Sequence, residues 1–135
     1  MDNGYSGTPL AKKLTLAPGK RAWFHAMPAS VRKEIGPEAL GLLLEDDVSA
    51  GLDAAHVFVT ERTELERLLP ALRALIQPDG QIWVSWPKKA SKVPTDVTED
   101  VIRAVALPIG LVDIKVRAVD AIWSGLKLVI RKELR

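Results

Sequence analysis

The chain contains no cysteine, which excludes disulfides, thiolate nucleophiles and cysteine-based metal sites. Aromatic residues make up only 5%, too few to interleave with basic residues in a nucleic-acid platform. No charge of one sign dominates. Nineteen Lys and Arg face seventeen Asp and Glu, and the net charge of +2 is far from that of a dedicated nucleic-acid binder. No apolar run approaches the roughly eighteen residues of a membrane span, and MDNGYSGTPLAKKL lacks the apolar core of a secretory signal. Those absences lead us to expect a cytoplasmic protein. Also missing are G-x-G-x-x-G, a Walker loop and G-x-S-x-G. With two histidines and no ligand spacing, no metal is expected.

What is present is an ordinary globular composition, 47% hydrophobic and 27% charged over 135 residues, enough for one domain with a real core. The organising stretch is Asp53 to Lys89. Ala54 to Thr60 has the pattern of a strand covered on both faces. Thr63 and Glu66 have capping-box spacing, and Leu65, Leu68, Leu69, Leu72 and Ile76 then form one helical stripe. Pro78-Asp79-Gly80 reads as a turn, and Gln81 to Trp86 as a second buried strand. Strand, crossover helix and parallel strand imply α/β architecture.

Before this unit, residues 1–19 read as a helical lead-in, with Thr8-Pro9 opening a helix over Leu10 to Leu14. Tyr5 to Pro9 are expected to fold back onto the domain. Arg21 to Ala26 predicts a strand, Val31 to Ile35 a helix, and Ala39 to Glu45 a second strand whose leucines suit a helix equally well. After the unit, Asp96 and Glu99 form a second capping box, and Val97, Val101, Ala104 and Val105 an apolar helix face. Leu111 to Asp120 and Leu126 to Arg131 alternate, with Ile114, Val116 and Ala118 on one side of the first and Leu126, Leu128 and Ile130 on one side of the second. That predicts an antiparallel hairpin.

The phrases LIQPDGQIWVSW (75–86) and GLVDIKVRAVDAIWSGLKLVIRK (110–132) are similar to the helix-turn-strand and terminal hairpin of the class I methyltransferase fold. That resemblance implies a single three-layer Rossmann-like domain over 1–135, its mostly parallel sheet ordered 2-1-3-4-6-5. More closely, YSGTPLAKKL (5–14), IWVSWPKKAS (82–91) and WSGLKLV (123–129) resemble the uncharacterised bacterial family catalogued as domain of unknown function 3052, which brings no known activity.

The methyltransferase fold has a glycine-rich turn after its first strand, where the cofactor approaches the backbone. Here that turn is His25-Ala26-Met27-Pro28-Ala29-Ser30. Glu45 or Asp46 stands where an acidic residue would hold the ribose. Weighing the missing glycine most heavily, we expect no cofactor, S-adenosylmethionine included, and assign no catalytic residue. Lys88, Lys89, Ser91 and Lys92 leave the carboxyl end of a parallel strand, where α/β sheets bind ligands. Trp86 beside them suits stacking or, more commonly, core packing. His25 suits a general base or, more commonly, a hydrogen-bonded sheet histidine. The residues thus predict a non-catalytic module binding an anionic small molecule or a partner protein, with a degenerate S-adenosylmethionine-binding methyltransferase as the alternative. Nucleic acid and membrane are not expected partners, and the sequence does not fix an oligomeric state.

Overall fold

The structure, a computed structural model, describes residues 8–135. Part of the expected fold-back, residues 5–7, lies outside the described residues. In chain order the elements are α1 (Leu10–Lys13), β1 (Arg21–His25), α2 (Ala29–Ile35), α3 (Pro37–Leu40), β2 (Leu43–Leu44) and β3 (Leu52–Phe58). There follow α4 (Arg62–Leu75), β4 (Ile76–Pro87), α5 (Glu99–Ala106), β5 (Leu111–Ala118) and β6 (Trp123–Ile130).

The six strands form one sheet in the order β2-β1-β3-β4-β6-β5, as expected from the resemblance. β1 to β4 run parallel, and β6 is antiparallel to both β4 and β5. The central strands are apolar on both faces because both faces are covered. Ala55, Val57, Ile82, Val84 and Trp86 pack under the leucine stripe of α4 and under Ile102 and Ala106 of α5. Ala54, Phe58 and Trp83 pack under Leu10 and Leu14 of the N-terminal segment and Val31 and Ile35 of α2. The Leu14 carbonyl locks that segment to the sheet, accepting from Gln81 Nε2 and Trp83 Nε1 at 2.9 Å each.

Local expectations need correcting in five places. The cap of α4 is not Thr63, which lies inside the first turn. Glu61 occupies the N-cap position without a side-chain bond, and the Arg62 N–H donates instead to the Asp96 carboxylate at 2.7 Å. Asp96, thus engaged, does not cap α5; Thr98 does, accepting from the Val101 N–H. The face of α5 accordingly centres on Ile102 and Ala106, and Ala104 is exposed. Ala39 to Glu45 divides into the end of α3 and a two-residue strand, because Gly41 turns the chain through a left-handed conformation at φ 82°. Pro78-Asp79-Gly80 makes an outward bulge within β4, so that Leu52 pairs with Ile76 but Ala54 with Gln81. On β5, Ile114 and Val116 are exposed: the strand is an edge, and an irregularity between Asp113 and Lys115 breaks its alternation.

Candidate functional site

The carboxyl edge of the parallel strands is where this topology offers a site. β1 connects through α2 to β2 on one side, while β3 lies on the other and continues into α4 on the opposite face. The strand order therefore reverses between β1 and β3, the position at which open α/β sheets bind ligands. Ala26 begins the turn out of β1 with φ 54°, a left-handed conformation, and its methyl group is exposed. Pro28 then sits at the N-cap of α2.

Beside this turn lies a cleft of about 290 Å³, lined by Phe24 and Met27 from the β1 side, Arg32 of α2, and Leu44, Glu45 and Asp46 at the end of β2. Its size is at the lower end for ligand pockets. The charges around it differ in their commitments. Arg32 donates to Glu38 at 2.6 Å. A backbone hydrogen bond, then Arg32, hold the Glu38 carboxyl below its usual range. Arg21 donates to Glu45 at 3.3 Å and to Ser49 at 2.8 Å, pinning the acidic loop after β2. Asp46 is exposed and makes no hydrogen bond among the described residues. A second cavity, about 380 Å³, lies between Leu10, Glu34, Ala118 at the end of β5, and Val119 to Ala121 of the β5–β6 loop.

The residues singled out from sequence fall in two places. His25 ends β1 and meets Glu64 of α4, Nε2 to Oε2 at 2.8 Å, with the Trp23 ring 5.6 Å from its own. Trp86 is 8% exposed and packs in the α4–α5 core. From there the Lys88 N–H donates to the Ile122 carbonyl, tying the following loop to the hairpin. Lys89–Ser91 form one 3-10 turn, closed by the Ser91 hydroxyl on the Lys88 carbonyl at 2.6 Å. Lys92 leaves it with φ 62°. No hydrogen bond or ion pair joins His25 to this loop among the described residues.

Sequence reading did not find Glu64 or the Phe24–Asp46 cleft, since no local motif marks contacts between separate segments. It also missed the link from His56 to Ser85, Nε2 to Oγ at 2.7 Å within the sheet. Burial pushes His56 down to about 3, so the ring is neutral, and its Nδ1 has no partner among the described residues. No group of three or more metal-ligating side chains is found among the described residues, and none of their helices is long and apolar enough to cross a membrane.

No family model matches the chain, and no curated protein matches it. Solved structures do. A ribosomal protein L11 methylase from Lactobacillus delbrueckii subsp. bulgaricus aligns with a TM-score of 0.58 and 14% identity, covering 90% of this chain and 74% of that one. A TehB-like SAM-dependent methyltransferase from Corynebacterium glutamicum aligns at 0.55 and 9% identity, covering 95% and 90%. Aeropyrum pernix fibrillarin, with natively bound S-adenosyl-L-methionine, aligns at 0.54 and 11%, covering 90% and 69%. At these identities the likeness establishes the fold: α/β and methyltransferase-like. It corrects the sequence-based preference for a non-catalytic module binding an anionic molecule or a partner protein. Two of these neighbours are methyltransferases and the third holds S-adenosyl-L-methionine, and they favour what stood as the alternative.

Proposed function

We propose that this chain is an S-adenosylmethionine-binding methyltransferase domain, with the cofactor held in the cleft at the carboxyl ends of β1 and β2. One observation carries the reading: the cleft sets an apolar lining, Phe24, Met27 and Leu44, beside two carboxylates, Glu45 and Asp46. A nucleoside needs both, an apolar contact for its flat ring and an acceptor for its ribose hydroxyls. Glu45 is already engaged by Arg21, so the diol falls to Asp46. The turn after β1 also fits. It lacks glycine, yet Ala26 adopts the left-handed backbone that glycine ordinarily supplies, with only a methyl group added. The bound cofactor supplies an electrophilic methyl group on a sulfonium sulfur. The residues of the chain bind it, orient it and exclude water around it.

Lys88, Lys89, Ser91 and Lys92 leave β4 at the same edge of the sheet, and we place the loop beside the acceptor's approach, with Trp86 as its anchor. Membership of the uncharacterised family resembled by segments 5–14, 82–91 and 123–129 belongs to the same proposal.

Titration calorimetry with S-adenosylmethionine and S-adenosylhomocysteine, with ATP and NAD as controls, tests the reading. We expect dissociation constants well below millimolar for the first pair only, and a loss of about tenfold in Asp46→Ala. Affinity weaker than about 1 mM for both sulfur ligands overturns the proposal. Equal binding by Asp46→Ala moves the ligand out of this cleft.

A further inference from the structure

Where β1 ends and α4 begins stands a pair that is not among the lining of the Phe24–Asp46 cleft and that cofactor binding leaves unused. His25 is the last residue of β1 and Glu64 lies in the first turn of α4, their contact spanning 39 positions of sequence at 2.8 Å. Stability gives little reason for it. The two side chains are 25% and 29% exposed, so neither is present to neutralise a deeply buried charge, and ion pairs at such exposure contribute little. What the contact does is fix the ring. A carboxylate only accepts, so its partner Nε2 carries the proton, and in the neutral ring Nδ1 then presents the lone pair. Nδ1 makes no hydrogen bond among the described residues. An imidazole oriented through one nitrogen by a carboxylate, its other nitrogen bare, is the arrangement of a general base.

We propose that His25, held in this tautomer by Glu64, removes the proton from the methyl acceptor, an inference that rests on the methyltransferase reading above. In the transfer, the acceptor's oxygen or nitrogen bonds to the methyl carbon. The carbon–sulfur bond of the sulfonium donor breaks with its electron pair passing to sulfur. The acceptor's proton goes to Nδ1 of His25. Glu64 is a positioning residue: it holds the ring and offsets the charge of the imidazolium that forms. The chemistry selects the acceptor class. A base matters for a group that is protonated at neutral pH and becomes a strong nucleophile on losing that proton, such as a phenol or a ring N–H. A carboxylate acceptor is already ionised and needs none.

The test uses the full chain with ¹⁵N-labelled histidine and S-adenosylhomocysteine as the probe. The ring of His25 should show one tautomer, protonated at Nε2, and its resonances should move when the probe binds. Glu64→Ala should mix the two tautomers. His25→Asn should bind the probe as the wild type does. With a panel of phenols and the methyl donor, its turnover at neutral pH should fall by roughly 10²- to 10⁴-fold. The loss should be recovered above the pH at which the phenol itself ionises. A ring protonated at Nδ1, ring resonances indifferent to bound probe, or undiminished turnover in His25→Asn would each overturn the assignment. The tautomer and the ring response decide the matter even where no phenol in the panel is methylated. If the probe binds and His25 does not respond, the base is wrong and the methyltransferase reading survives. If the probe does not bind at all, both fall together.

Discussion

His56 cannot carry a charge where it sits, and that makes the fold sensitive to acid. The ring is 2% exposed and burial lowers its pKa from 6.5 to about 3. In the unfolded chain the same ring takes up a proton below about pH 6.5. Between that value and about 3 the unfolded state binds a proton that the native state does not. Stability is therefore fully present above pH 6.5 and is lost as the pH falls, with a slope approaching about 1.4 kcal/mol per pH unit. Urea melts between pH 7 and pH 5, above most carboxylate titration, should show this slope in the wild type. They should show it flattened in the double variant His56→Leu with Ser85→Ala, which removes both hydrogen-bonding partners together. An equal slope in both would assign the acid sensitivity to other groups. Residues of this kind were half legible in the sequence. A histidine within a strand pattern is readily expected to be a sheet histidine. Its partner, 29 positions away, is not, because only the β3–β4 register brings the two side chains together.

At the scale of elements, the apolar periodicities read correctly wherever both faces or one clear stripe are covered, as in β3, β4, β6 and α4. They misled at β5, because alternation specifies which side chains share a face and not whether anything lies over that face. The helix caps misled for a related reason. Spacing pointed to Thr63 and Asp96 as local caps. Instead, the loop before α5 crosses the β3–α4 junction, its Thr95 hydroxyl donating to the Thr60 carbonyl at 2.7 Å, and lends Asp96 to the first turn of α4. Asp96→Ala should then cost about 1 kcal/mol, the usual worth of an N-cap. Hydrogen exchange should place the loss in the first turn of α4. A loss confined to α5 would restore the local capping box.

For the molecule as a whole, the α/β architecture was legible in the βαβ unit and the closing hairpin, and the strand order came from the resemblance to the methyltransferase fold. Function was not. The absence of glycine after β1 weighed against the cofactor because φ is invisible in a sequence, and Ala26 reaches φ 54° without it. Nor could linear reading assemble Phe24, Met27, Leu44 and Asp46 into one cleft, as they come from two strands and the turns that follow them. Ligand binding should also register on global stability: at about a hundred times its dissociation constant, a ligand of the native state adds roughly 2.7 kcal/mol.

The lock at Leu14 changes what can be trimmed from this molecule. Its carbonyl serves Gln81 and Trp83, which are 8% and 1% exposed in the middle of the sheet. A protease cutting after Lys20 would strip both donors of their acceptor and uncover the apolar surface beneath α1, at about 1–3 kcal/mol for each orphaned donor before any lost packing. Such a cut should leave a species whose buried indole emission shifts to the red and whose unfolding is no longer cooperative. Retention of the native spectrum and transition would show the segment to be dispensable. The first helix is in that sense interior architecture, and the sheet is finished only when that helix is seated on it.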